Sequence, residues 1–234
     1  MNILAVGCHP DDIEIACGGT LAKYAKAGHK VVYCHVATGS MGHAVIMPEE
    51  LTKIRHEEVD RSCEILGAEH ISMGIPDLMV DSKNEDLVRD MVDVIRYARP
   101  DIIITHSPDD YMRDHVETSR LVFNASFSSS IIHYETEHEP YATIAPIYYM
   151  DTLAGMNFDP TEYVDISEEI ETKISALACH ESQIVWMLEH DKIDFLDFVR
   201  TCSKFRGLQS GVAYAEGFRP CNVWPRMVAK RLLP

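Results

Sequence analysis

Histidine and aspartate gather twice in this chain, each time just beyond a short apolar run. The first cluster, His9-Pro10-Asp11-Asp12, follows Ile3-Leu4-Ala5-Val6 and precedes Glu14 and Gly18-Gly19-Thr20. A strand, then a loop with one imidazole and two adjacent carboxylates, then a helix start, reads as a metal site at the carboxyl end of the first strand of an α/β sheet. Pro10 biases His9 away from helical dihedrals and fixes its own, so the loop is held open where the imidazole leaves the strand. His9 and Asp12 can then converge on one ion, with Asp11 beside it but free. A hydrolytic zinc site wants three nitrogen or oxygen ligands and an open position for water. The second cluster offers the missing ligand.

That cluster, Thr105-His106-Ser107-Pro108-Asp109-Asp110-Tyr111-Met112-Arg113-Asp114-His115, follows the apolar run Ile102-Ile103-Ile104 and should open at the same edge of the same sheet. Asp114 with Glu117 three residues on reads as an N-cap with an acidic N3 residue, which places His115 on the first helical turn. A helix N-terminus disfavours the imidazolium, and a metal needs the neutral ring.

The residues resemble the PIG-L/LmbE-like zinc-dependent N-deacetylases. The resemblance rests on His9-Pro10-Asp11-Asp12 and Asp114-His115. Lesser matches run along the chain: Arg55-x-Glu57-Glu58, Asp159-Pro160-Thr161 through Val164-Asp165-Ile166, Lys173, His180-x-Ser182-Gln183 and Tyr214-Ala215-Glu216. It implies one Zn2+ per chain, or another divalent metal, held by His9, Asp12 and His115. It also implies Asp11 as general base, Arg55, Asp114 and Met112 at the substrate, and removal of an N-acetyl group from an N-acetylglucosamine-type sugar or conjugate. Many members carry histidine three residues before the last ligand, where this chain has Met112. A thioether cannot move a proton, so Asp11 is expected to serve as base and then acid, with His35, His106 and His180 as candidates for a displaced acid. The alternative is a non-catalytic, zinc-containing ligand-binding protein of the same fold. Retention of Asp11 argues against it, because a structural zinc has no use for a free carboxylate beside it.

Two other α/β readings of the first loop fit poorly. There is no Gly-x-Gly-x-x-Gly, and three acids would face a dinucleotide pyrophosphate. Adjacent aspartates also suit an aspartyl-phosphatase poorly. The formal charge of -16 excludes nucleic acid as a natural partner. No apolar run approaches the roughly 20 residues of a membrane span, and the first residues lead straight into a strand, so no anchor or signal peptide is expected. The seven cysteines are scattered with no Cys-x-x-Cys, which points to reduced thiols and a cytoplasmic setting.

With 234 residues and 46% hydrophobic content the chain can bury one substantial core. The expected architecture is a Rossmann-like three-layer α/β/α sandwich with a mostly parallel sheet and a small C-terminal extension. It forms one domain over 1–234, with a core over 1–135 completed by strands and helices over 146–234. Strands are predicted over 3–6, 30–37, 71–73, 102–105, 147–151 and 163–165. Helices are predicted over 20–27, 48–67, 87–98, 115–131, from 167, and over 192–205, with 38–47 as a loop over the site. The segment from Gly207 is expected to cover the site or to make subunit contacts. The resemblance implies a trimer or hexamer, and Phe195, Phe198, Phe205, Phe218 and Trp224 would suit either an interface or a core.

Overall fold

A computed structural model of the protein describes residues 1–234. The strands are β1 (Asn2–Gly7), β2 (Lys30–Ala37), β3 (Glu69–Ile75), β4 (Ile102–Thr105), β5 (Ile147–Met150), β6 (Glu162–Asp165) and β7 (Ala215–Pro220). The helices are α1 (Asp12–Lys26), α2 (Pro48–Leu66), α3 (Glu85–Ala98), α4 (Arg113–Ser128), α5 (Ile170–Leu177), α6 (Glu181–Trp186) and α7 (Phe195–Ser210). They build one seven-stranded sheet of order β3-β2-β1-β4-β5-β7-β6. Pairing is parallel from β3 to β5, and β7 runs antiparallel to both β5 and β6.

The apolar run of β1 is buried on both faces, as a central parallel strand must be. Ile3 and Ala5 enter one core with side chains of α1, α2, α5 and α7, while Leu4 and Val6 enter a second core with α3 and α4. This alternation makes the three layers of the expected sandwich. The chain leaves β1 toward one face and β4 toward the other, and these strands are neighbours. Their carboxyl ends therefore flank a crevice where the winding reverses, the usual ligand position in such sheets.

Three expectations are corrected. Helix α1 begins at Asp12 rather than Thr20. Gly18 and Gly19 look like loop residues, but they lie inside the helix, where a Cβ on Gly19 would stand 2.9 Å from Ile166. Helix α4 begins at Arg113 with Met112 as its N-cap residue, so Asp114 is not the cap. Glu117 instead accepts from the Ser82 N–H and hydroxyl. The segment after Gly207 does not cover the site, since its strand β7 occupies the sheet between β5 and β6. Of the aromatic residues considered for an interface, Phe195 and Phe218 are core residues, whereas Phe205 and Trp224 are exposed. No helix is long and apolar enough to cross a membrane.

Glu216 of β7 ties the C-terminal part to α1. Its carboxylate accepts from the Gly19 and Thr20 N–H groups at 2.9 and 2.7 Å, from the Thr20 hydroxyl, and from Lys173 Nζ of α5 at 2.6 Å. Both members of the ion pair are buried. Removing one charge leaves the other uncompensated in the core. Glu216→Gln should therefore lower unfolding stability by about 3–5 kcal/mol in a urea titration.

Candidate active site

A cavity of about 500 Å³ opens over the carboxyl ends of β1 and β4. His9, Asp11 and Asp12 line it from the β1 loop, His106, Asp110, Tyr111 and Met112 from the β4 loop, and Asp114 and His115 from the first turn of α4. Arg55 of α2 closes one wall, and Met41, Gly42 and Gln183 border it. The sequence placed 38–47 over the site; Asp77 holds that loop there, accepting from the Gly39 and Met41 N–H groups at 2.7 and 2.8 Å.

The local geometry follows from tight backbone constraints. Gly7 must lack a side chain, because a Cβ would stand 2.8 Å from Ile13. Asp11 adopts a left-handed conformation with φ 105°, which costs a non-glycine residue about 1–3 kcal/mol and is held only where its surroundings over-determine it. Asp12 turns back and accepts the His9 N–H at 2.6 Å through Oδ2. Its other oxygen, Oδ1, lies 3.3 Å from His115 Nε2.

Ligand atoms of His9, Asp12 and His115 lie within 4.8 Å of one another. Whether these residues fit a metal is decided by proton bookkeeping at His115. Its Nδ1 is 3.2 Å from the Asp110 carboxylate, to which it donates. That leaves a lone pair on Nε2, which is buried without a hydrogen-bond partner and faces Asp12 Oδ1. The gap between Nε2 and Asp12 Oδ1 takes either a second proton on His115 or a metal ion in its place. The surrounding charge favours a positive group there. Burial opposes a charged His115, yet Asp12 and Asp110 override it and push the imidazole up to about 10. His9 is raised too, because Asp114 and Asp12 outweigh its burial. Burial works to raise Asp12, but His115 and His106 hold it well below the usual carboxylate range. The residues fit a divalent cation.

Asp11 stands apart from these contacts. It is buried, its carboxylate makes no hydrogen bond, and burial together with Asp12 pushes it up to about 7 against the opposing pull of His180 and Arg55. A group so tuned can hold or release a proton near neutrality.

The remaining predicted residues fall into place unevenly. Arg55 is buried in the cavity wall, not part of a surface charge cluster, and it fills the space left by Gly39 and Gly42 while donating to Gln183 Oε1. Asp114 lies 3.5 Å from His9 Nε2 and accepts the Leu78 N–H at 2.7 Å, so it braces a wall as well as lining the cavity. Met112 lines the cavity and is exposed. Of the histidines considered as a displaced acid, His35 points away, bonded to His70 and Ser72. His180 is held by Glu14 at 2.9 Å, beneath the site. His106 lines the cavity, stacked on His115 with ring centroids 3.9 Å apart, and its Nε2 accepts the Cys8 N–H. Sequence reasoning missed Asp110 and Asp77. Asp110 had a signal, a carboxylate in the loop five residues before His115; Asp77 carried none beyond its place in the loop after β3.

Lone-pair donors converging at the switch point of a parallel sheet, with an unbonded carboxylate beside them, define a metal-site α/β enzyme. The comparisons narrow that class. Residues 4–126 match the family described as PIG-L, GlcNAc-PI de-N-acetylase. The diacetylchitobiose deacetylase of Thermococcus kodakarensis is 31% identical, over 93% of this chain and 82% of its own. The solved N,N'-diacetylchitobiose deacetylase of Pyrococcus horikoshii superposes with a TM-score of 0.78 at 27% identity, covering 93% of this chain and 82% of that one. The 4-carboxy-2-hydroxymuconate hydratase of Pseudomonas putida KT2440 superposes with a TM-score of 0.83 over 99% of this chain and 100% of that one; at 23% identity this is a likeness of fold. The chain belongs to the PIG-L family.

If Asp110 orients His115, Asp110→Asn should weaken retention of the metal about 10- to 100-fold, the usual effect of losing a carboxylate behind a histidine ligand. Metal analysis after dialysis against graded chelator measures this, and unchanged retention would remove Asp110 from that role.

Proposed function

We propose that this protein is a metal-dependent N-deacetylase that removes the acetyl group from an N-acetylglucosamine-type sugar or conjugate, with zinc held by His9, Asp12 and His115. The observation that carries this reading is Asp11, a buried, unbonded carboxylate in a strained backbone conformation next to the three donors. The deacetylases to which the chain is similar supply the substrate class. A zinc ion at this place contributes Lewis acidity toward the acetyl carbonyl and toward a water molecule.

Asp11 takes a proton from the attacking water as the carbon–oxygen bond forms. It returns that proton to the amine nitrogen as the carbon–nitrogen bond breaks, because a deprotonated amine is too basic to leave. The products are acetate and the free amino sugar. Met112 can play no part in this transfer. Arg55, a buried cation in the cavity wall, would hold a sugar oxygen, with Asp114 and Met112 beside it in the lining. The C-terminal strands continue the sheet of the first half, which supports a single working domain over 1–234. Seven free cysteines support a reducing, cytoplasmic setting.

Acetate release with added zinc, across N-acetylated monosaccharides and chitooligosaccharides, tests the activity. Zinc binding with no acetate from any of them would favour the ligand-binding alternative. Asp11→Asn should lower turnover by about two to four orders of magnitude with metal retained, and Met112→Ala should lower it far less. If His106→Gln falls as far as Asp11→Asn while metal stays bound, His106 is the acid and the one-carboxylate scheme is wrong. The family resemblance also leads us to expect a trimer or hexamer; a monomer by light scattering at micromolar concentration would end that expectation.

A further inference from the structure

A second group of imidazoles lies away from the catalytic cavity, where α2 packs beside the edge strand β3. His56 and Asp60 stand one turn apart on α2, His70 comes from β3, and one ligand atom from each falls within 4.8 Å of the others. Asp60 Oδ1 is 2.6 Å from His70 Nδ1, and Asp60 Oδ2 is 3.8 Å from His56 Nε2. The side chains of His56 and Asp60 are 52% exposed, whereas that of His70 is only 8% exposed.

His70 is fixed from behind. Its Nε2 lies 3.0 Å from Nδ1 of the buried His35, whose Nε2 lies 2.8 Å from the Ser72 hydroxyl. His35 and Ser72 are register partners on β2 and β3, so the sheet itself sets this line. Run outward from His70, the line has His70 Nε2–H donating to His35 and His35 Nε2–H donating to Ser72. His70 Nδ1 then carries a lone pair toward Asp60. Run the other way, His70 Nδ1 holds a proton against Asp60. A divalent ion can take the place of that proton, which leaves to solvent.

We propose that His56, Asp60 and His70 form a second metal site, for zinc or a neighbouring transition ion, with water completing the coordination and His35 and Ser72 setting the tautomer of His70. Two imidazoles and one carboxylate favour zinc, cobalt, nickel or copper over magnesium or calcium. Two of the three ligands face solvent, so ions enter without opening the fold. An ion here clamps the edge strand to α2, the helix that carries Arg55 into the catalytic cavity.

The test is metal stoichiometry. Metal-stripped protein is equilibrated with micromolar zinc, and bound zinc per chain is counted for the wild type, His56→Ala, Asp60→Asn and His115→Ala. The expected result is two ions for the wild type and one for each variant. His56→Ala and Asp60→Asn, both at exposed positions, should keep the wild-type circular dichroism and full catalytic activity with zinc supplied. A wild type that binds one ion, kept by His56→Ala and lost by His115→Ala, would overturn the second site. So would two ions retained by both α2 variants. One ion kept by His115→Ala and lost by both α2 variants would uphold the second site and instead remove the catalytic one.

Discussion

The structure turns on the approach of Asp12 to His115, 3.3 Å apart, from the first turns of two helices more than a hundred residues apart in sequence. Each is committed on its other side, Asp12 to the His9 N–H and His115 to Asp110. Neither can turn away without breaking a buried hydrogen bond. The cost of leaving such groups unsatisfied in a buried place is what makes this a place for a cation. Because β1 and β4 are neighbours and their following helices lie on opposite faces, the two loops meet at the sheet edge without distorting any strand.

Placing the donors is only part of what the fold does. Asp11 must stay ionisable and unbonded in the cavity that the donors line, and its left-handed backbone keeps it from folding back into a helix cap. Gly7 beneath it, and the glycines of the 38–47 loop above it, give up side chains so that Ile13 and Arg55 can approach. A residue bound by so many neighbours has little freedom to relax, which suits a group that must move a proton along a fixed path.

Much of this was legible in the chain. Apolar runs ending in histidine and aspartate marked β1, β4 and the residues His9, Asp12 and His115 at their ends, because a parallel strand buried on both faces leaves a continuous apolar signature. Helix starts were harder. Gly18 and Gly19 read as a break, since local propensity cannot see Ile166 pressing on the helix from the far end of the chain. β7 was missed for a related reason: Ala215-Glu216-Gly217-Phe218-Arg219-Pro220 has little strand character, and its place between β5 and β6 comes from partners on both sides and from Glu216 docking on α1. Asp110 has no role that its residue type reveals, because orienting a histidine is a matter of geometry.

The position of β7 has a consequence for the order in which the molecule can be made. It is made after the other six strands of this sheet, yet it sits inside the sheet, so β6 has no place to bind until residues 215–220 have been synthesised. Helix α1, which begins at Asp12, gains its deepest anchor at Gly19 and Thr20 only when Glu216 arrives. The nascent N-terminal half thus carries Asp12 on a helix that Glu216 has not yet anchored. Geometry set early in synthesis is made rigid by a strand that follows it by about two hundred residues.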